Sequence, residues 1–105
     1  MIQVTLETRE GWQVAVVAGR ADAEAADDLE SALRTAIDQH PKVAADFRSL
    51  DYISSAGLRA VLQAARAARL RGGEFAVCAL SDPVRKVFTM SGMHHVLRIY
   101  GELPC

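Results

Sequence analysis

The sequence predicts an α/β domain in which a single mixed sheet of about four to five strands carries its helices mainly on one face. Three observations predict it. The hydrophobic period alternates between strand and helix spacing, in the order β-β-α-β-α-β-α-β. Half of the 105 residues are hydrophobic, which fits one core and leaves no room for a second, so residues 1–105 read as one domain. The strongest breakers, Pro41, Gly72-Gly73, Pro83 and Gly92, fall between the periodic segments.

Each element follows in turn. Ile2, Val4 and Leu6 alternate with polar residues, and Trp12, Val14, Val16 and Ala18 do the same after the turn Arg9-Glu10-Gly11, which predicts a hairpin. Gly19-Arg20-Ala21-Asp22 ends the second strand. A helix is expected from about Ala23, with Ala25, Ala26, Leu29, Leu33, Ala36 and Ile37 on one face and Asp22 as its N-cap. Lys42 to Phe47 is a short strand, Ser49-Leu50-Asp51 a turn, and Tyr52-Ile53 returns toward the core. The second helix is expected from Ser55 or Ala56 to Arg71, closed by Gly72-Gly73. Glu74 to Leu80 reads as a buried strand, and Ser81-Asp82-Pro83 starts a third helix that ends before Gly92. Val96, Leu97, Ile99 and Tyr100 form a last strand or extended tail, with His94-His95 near its start and their side chains on opposite faces.

Several functions are disfavoured. A formal net charge of -1 lacks the basic excess of a nucleic-acid binder. No apolar run approaches the ~20 residues that span a bilayer, and no secretory leader follows Met1, so a cytoplasmic protein without membrane insertion is expected. Cys78 and Cys105 lie in no CxxC or Cys/His cluster, and Cys78, within a hydrophobic strand, reads as a small buried residue. His40, His94 and His95 have no metal-ligand spacing with an acid or thiol. A Gly-rich phosphate loop and a Gly-x-Ser-x-Gly nucleophile are both missing. The chain is therefore expected to bind rather than catalyse, without metal or cofactor.

The segment Asp46-Phe47-Arg48-Ser49-Leu50-Asp51-Tyr52-Ile53-Ser54-Ser55-Ala56-Gly57-Leu58 stands apart. It delivers two hydroxyls to a helix start, where either could cap the helix. Gly57 in the first turn costs about 1 kcal/mol relative to alanine, which points to a close approach. The following helix has a core stripe of Leu58, Val61, Leu62, Ala65 and Ala68. Beside it runs Ala56, Ala60, Ala64 and Ala67, flanked by Arg59, Gln63 and Arg66. That second stripe reads either as a solvated face of good helix formers or as a low strip on which a partner docks.

Tyr52-Ile53-Ser54-Ser55-Ala56-Gly57-Leu58 ahead of an amphipathic helix and Gly72-Gly73 resembles the signature of STAS domains, and more narrowly of the single-domain bacterial anti-sigma factor antagonists. Gly19-Arg20-Ala21-Asp22 is similar to the family's Gly-x-x-Asp, and Ala79 to Phe88 with Met90-Ser91-Gly92-Met93 to its third helix and exit. The resemblance implies a STAS fold and a partner switch. Unphosphorylated, such proteins bind an anti-sigma factor that is also a serine kinase, releasing its client. Phosphorylation of a serine at the helix start breaks the complex, and a PP2C-type phosphatase restores it. In the family motif Asp-Ser-Ser/Thr-Gly-Leu the acceptor is the first serine, which corresponds to Ser55. Ser54 stands in place of the Asp and Ala56 in place of the second hydroxyl. Register against Gly57-Leu58 favours Ser55 over Ser54. Partner contacts are expected from Asp22, Ser54, Ala56, Gly57, Leu58, Arg59, Ala60 and Gln63, with a monomer when free. Two other readings are a non-phosphorylated STAS subunit of a transporter or sensory complex, and an anion- or nucleotide-binding module.

Overall fold

The computed structural model describes residues 1–102. β1 (Ile2–Arg9) and β2 (Trp12–Ala21) form the expected hairpin, closed by Glu10 and Gly11 at φ values of 54° and 81°. Positive φ at both central residues is the demand of a type I′ turn, whose twist matches that of the strands. β2 continues past Ala18 because Gly19, at φ 104°, lets the Met1 carbonyl in close; a Cβ there would lie 2.6 Å from that oxygen.

β3 (Lys42–Asp46), β5 (Glu74–Cys78) and β6 (Arg98–Tyr100) extend the sheet in the order β1-β2-β3-β5-β6. β1 is antiparallel to β2, whereas the pairs β2–β3, β3–β5 and β5–β6 are parallel. The sheet has six strands, more than expected, because β4 (Leu50–Ile53) replaces the anticipated turn. β4 lies parallel to the far end of β2, pairing Gly19 with Leu50, Arg20 with Tyr52 and Ala21 with Ile53. One long strand thus supports β3 along its first half and β4 along its second.

α1 (Ala26–Gln39) buries Ala26, Leu29, Leu33, Ala36 and Ile37, the face that the sequence indicated. It begins later than expected, and Asp22 is not its N-cap. Asp22 Oδ1 instead accepts from the Ala25 amide at 3.0 Å, in the turn that leads into the helix. α2 (Ser55–Leu70) differs in rotation. Its buried residues are Gly57, Ala60, Val61, Ala64 and Ala68, while Leu58, Leu62 and Ala65 only flank the core. Small side chains face inward where α2 packs against α1 and the sheet, so Ala60 (2% exposed) and Ala64 (0%) form no docking strip. α3 (Asp82–Ser91) has Pro83 in its first turn and ends at Gly92 in the left-handed region at φ 78°. Its Phe88 meets Phe47 edge-on, with ring centroids 6.2 Å apart.

Leu29 and Leu33 of α1, Val61 and Ala64 of α2, and Val84 and Phe88 of α3 share one core with Val17, Val43 and Val77 of the sheet, so the helices cover one face. The other face carries a smaller cluster of Trp12, Val14, Ala44, Ala76 and Cys78, where Tyr100 meets Trp12 edge-on at 6.3 Å. Cys78 is buried, as expected. Cys105, the other cysteine, lies outside the described residues. His94 and His95 do not point apart from a strand. They sit in a 3₁₀ turn, Met93–His95, which brings their ring centroids to 3.9 Å. Among the described residues, no helix is long and apolar enough to cross a membrane.

Candidate functional site at the start of the second helix

The site is built by the end of β2 and the passage from β4 into α2. Ile53, buried at the end of β4, pairs with Ala21 of β2 and fixes where the next residue begins. Ser54 has extended backbone and is the N-cap of α2. Its Oγ accepts from the Gly57 amide at 3.1 Å and donates to the Ala21 carbonyl at 3.0 Å. The Ser54 amide donates to the same carbonyl at 2.9 Å. A hydroxyl can do both jobs because it is donor and acceptor at once; a carboxylate only accepts. Ser54 is thereby held against β2, half-buried, with its hydroxyl engaged on both sides.

Ser55, the first residue of α2, is exposed, and its hydroxyl has no hydrogen-bond partner among the described residues. Of the two adjacent serines, Ser54 therefore takes the cap that the sequence left open to either, and Ser55 presents an exposed hydroxyl. Gly57 explains itself by close approach, and the approaching group belongs to the fold. A Cβ on it would lie 2.8 Å from the Ala21 carbonyl oxygen and 2.8 Å from Ile53 Cγ1. Gly57 is accordingly buried and offers no open surface.

Of the remaining expected contact residues, Arg59 is exposed and Leu58, Gln63 and Ala56 are half-buried on the helix flank. Ala60 points into the core and is not a surface contact. Asp22 follows the Ala21 carbonyl that Ser54 grips, which places it at the same end of the sheet. Its Oδ2 lies 3.9 Å from the Met1 ammonium. Sequence reasoning missed Arg20 and Tyr52 on the same rim, cross-strand partners whose guanidinium and ring stack at 4.4 Å. The missing signal was β4 itself, since only its pairing with β2 sets the two side by side. The role of Ala21 is also invisible in sequence, because it is played by a backbone oxygen. Among the described residues there is no group of three or more His, Cys, Asp or Glu side chains that could hold a metal ion.

The family model for the STAS domain matches residues 3–104, nearly the whole chain. The protein is a STAS domain. BtrV of Bordetella bronchiseptica, named for a proposed role as an anti-sigma factor antagonist, is 38% identical over 92 residues, covering 87% of this chain and 79% of BtrV. The anti-sigma F factor antagonist of Paenibacillus polymyxa is 27% identical over 103 residues, covering 96% and 88% of the two chains. These relatives place this STAS domain in the anti-sigma factor antagonist family. Among solved structures, unphosphorylated SpoIIAA superposes with a TM-score of 0.78 at 26% identity, covering 99% of this chain and 90% of SpoIIAA. The phosphorylated form of the Bacillus SpoIIAA has the same fold, with a TM-score of 0.71 at 24% identity over 99% and 93% of the chains.

Proposed function

We propose that this STAS domain is a phosphorylation-controlled antagonist in a bacterial partner-switching circuit. Unphosphorylated, it binds an anti-sigma factor that is also a serine kinase, through the exposed start of α2 and the neighbouring rim. The kinase transfers the γ-phosphoryl group of ATP to Ser55 Oγ, ADP leaves, and the complex separates. A PP2C-type phosphatase hydrolyses the ester and returns the domain to its binding form. The observation that carries the reading is the contrast between the two serines: the Ser54 hydroxyl is engaged by Gly57 and Ala21, and the Ser55 hydroxyl is open to solvent. SpoIIAA, a relative solved in both unphosphorylated and phosphorylated forms, supports it from outside.

A phosphate of about -1.5 to -2 charges at a helix start is electrostatically tolerated, so the modification changes the surface and leaves the scaffold folded. The same charge within an interface with acidic groups or nucleotide phosphates repels the partner. Asp22, half-exposed on the same rim, is assigned to contact with the kinase.

Trypsin releases Ser49–Arg59 as one peptide holding both serines. Tandem mass spectrometry of protein isolated from its own cells, with phosphatases inhibited, is expected to find phosphate on Ser55 in a fraction that varies with growth condition. Ser55→Ala is expected to abolish it. Ser54→Ala is expected to retain it while losing about 1–2 kcal/mol of stability with the cap. Phosphate on Ser54, or none under any condition, would overturn the acceptor assignment. In the latter case the stable-subunit reading takes over.

A further inference from the structure

We propose that Arg59 is the internal counter-ion of a phosphate on Ser55, so that phosphorylation withdraws a cation from the partner-facing surface as it adds negative charge. The inference rests on Ser55 being the acceptor and goes beyond it, since it gives the phosphate a partner within the same helix.

Ser55 and Arg59 stand four residues apart on α2, and both are exposed. Side chains at that spacing are neighbours on a helix surface, and the later one slants back toward the N-terminus, over the earlier one. Anion first and cation second is also the favourable order for such a pair. α2 reads SAGLRAVLQAARAARL, with Arg59, Arg66 and Arg69 and no acidic residue, so its own sequence supplies Arg59 with no carboxylate. Nor does Arg59 pair with an acid from elsewhere among the described residues, whereas Arg9, Arg34, Arg48, Arg71 and Arg98 each do. A guanidinium left unpaired near the positive end of a helix gains from an anion placed within its reach, and its planar fork suits phosphate oxygens.

Other charged groups near the helix start come from the adjoining segments. Arg20 on β2 is stacked on Tyr52. Asp22 is turned to the Ala25 amide and the Met1 ammonium. Glu24, in the turn before α1, and Asp51 on β4 are exposed anions that would repel the phosphate. Arg59 is the cation that lies one helical turn from Ser55.

The test installs phosphoserine at position 55 during translation of the full chain, so it needs no knowledge of the kinase. The ³¹P chemical shift is then followed against pH in the parent, Arg59→Gln, Arg59→Lys and Arg66→Gln proteins, each checked for folding by circular dichroism. Arg59→Gln is expected to raise the second pKa of the phosphate by about 0.3–0.5 unit, a roughly two- to threefold change in the protonation constant. Arg59→Lys is expected to recover part of the shift by charge alone, and Arg66→Gln to leave the titration unchanged. The effect is expected to shrink in high salt, as for any exposed pair. Identical titrations for the parent and Arg59→Gln, or an equal shift in Arg66→Gln, would overturn the pair. Failure of the acceptor assignment is read separately, from the tryptic peptide of the cellular protein.

Discussion

At the scale of single residues, Gly57 shows how an unfavourable helix residue is retained. Alanine is the better helix former by about 1 kcal/mol. At this position, however, its methyl group would meet the Ala21 carbonyl and Ile53 at 2.8 Å. Overpacking costs about 1–3 kcal/mol, and a 2.8 Å contact with a fixed backbone oxygen falls in the upper half of that range, so the steric effect wins. Gly57→Ala is expected to lower stability by a net ~1–2 kcal/mol in chemical denaturation. An unchanged midpoint would mean that the helix start can lift off β2. The sequence flagged this glycine as a point of close approach. It could not say that the approaching group was Ala21, thirty-six positions earlier, because the contact exists only once β4 has docked on β2.

At the scale of elements, α1 was legible and α2 was legible in extent only. In α1 the large residues Leu29, Leu33 and Ile37 mark the buried face without ambiguity. In α2 leucine size misleads, since Leu58 and Leu62 flank the core and Ala60, Ala64 and Ala68 fill its centre. Hydrophobicity alone cannot distinguish a helix held at arm's length by leucines from one drawn close by alanines. A direct consequence is that Ala64→Leu, a change that improves bulk hydrophobicity, is expected to destabilise by about 1–3 kcal/mol, measured as a lower thermal midpoint. On the solvated-face reading it would be neutral. β4 was missed for a different reason. Its two buried residues, Leu50 and Ile53, lie at its ends with exposed Asp51 and Tyr52 between, so four residues show no strand alternation. Its identity as a strand comes from pairing with a distant partner.

At the scale of the whole molecule, helices on one face leave the sheet with two unequal clusters. The larger one runs through all three helices, and α3 joins it through Val84 and Phe88, which sit over β4 and Phe47. Phe88→Ala is expected to cost about 3–5 kcal/mol. Against a total of about 5–15 kcal/mol for a domain, that is enough to depopulate the native state near physiological temperature. Circular dichroism melting checks this, and a loss below ~1 kcal/mol would mean that α3 is peripheral to the fold. Apart from β4, the element order and the one-sided packing were readable because local period and breakers fix them. The allocation of β2 between β3 and β4 was not, since it depends on which of several apolar strands settles beside which.

That allocation makes β2 a ruler. β3 and β4 are laid end to end along it, separated only by Phe47, Arg48 and Ser49, and the count of residues from Lys42 to Ser54 sets where Ser55 emerges. Because strand side chains alternate between faces, one residue added or removed within that span exchanges inside for outside. The Glu10-Gly11 turn lies at the far tip of the hairpin, where no neighbouring atom lies within 4 Å of a Cβ built on Gly11. The chain is thus intolerant of length changes along the edge that measures out the serine.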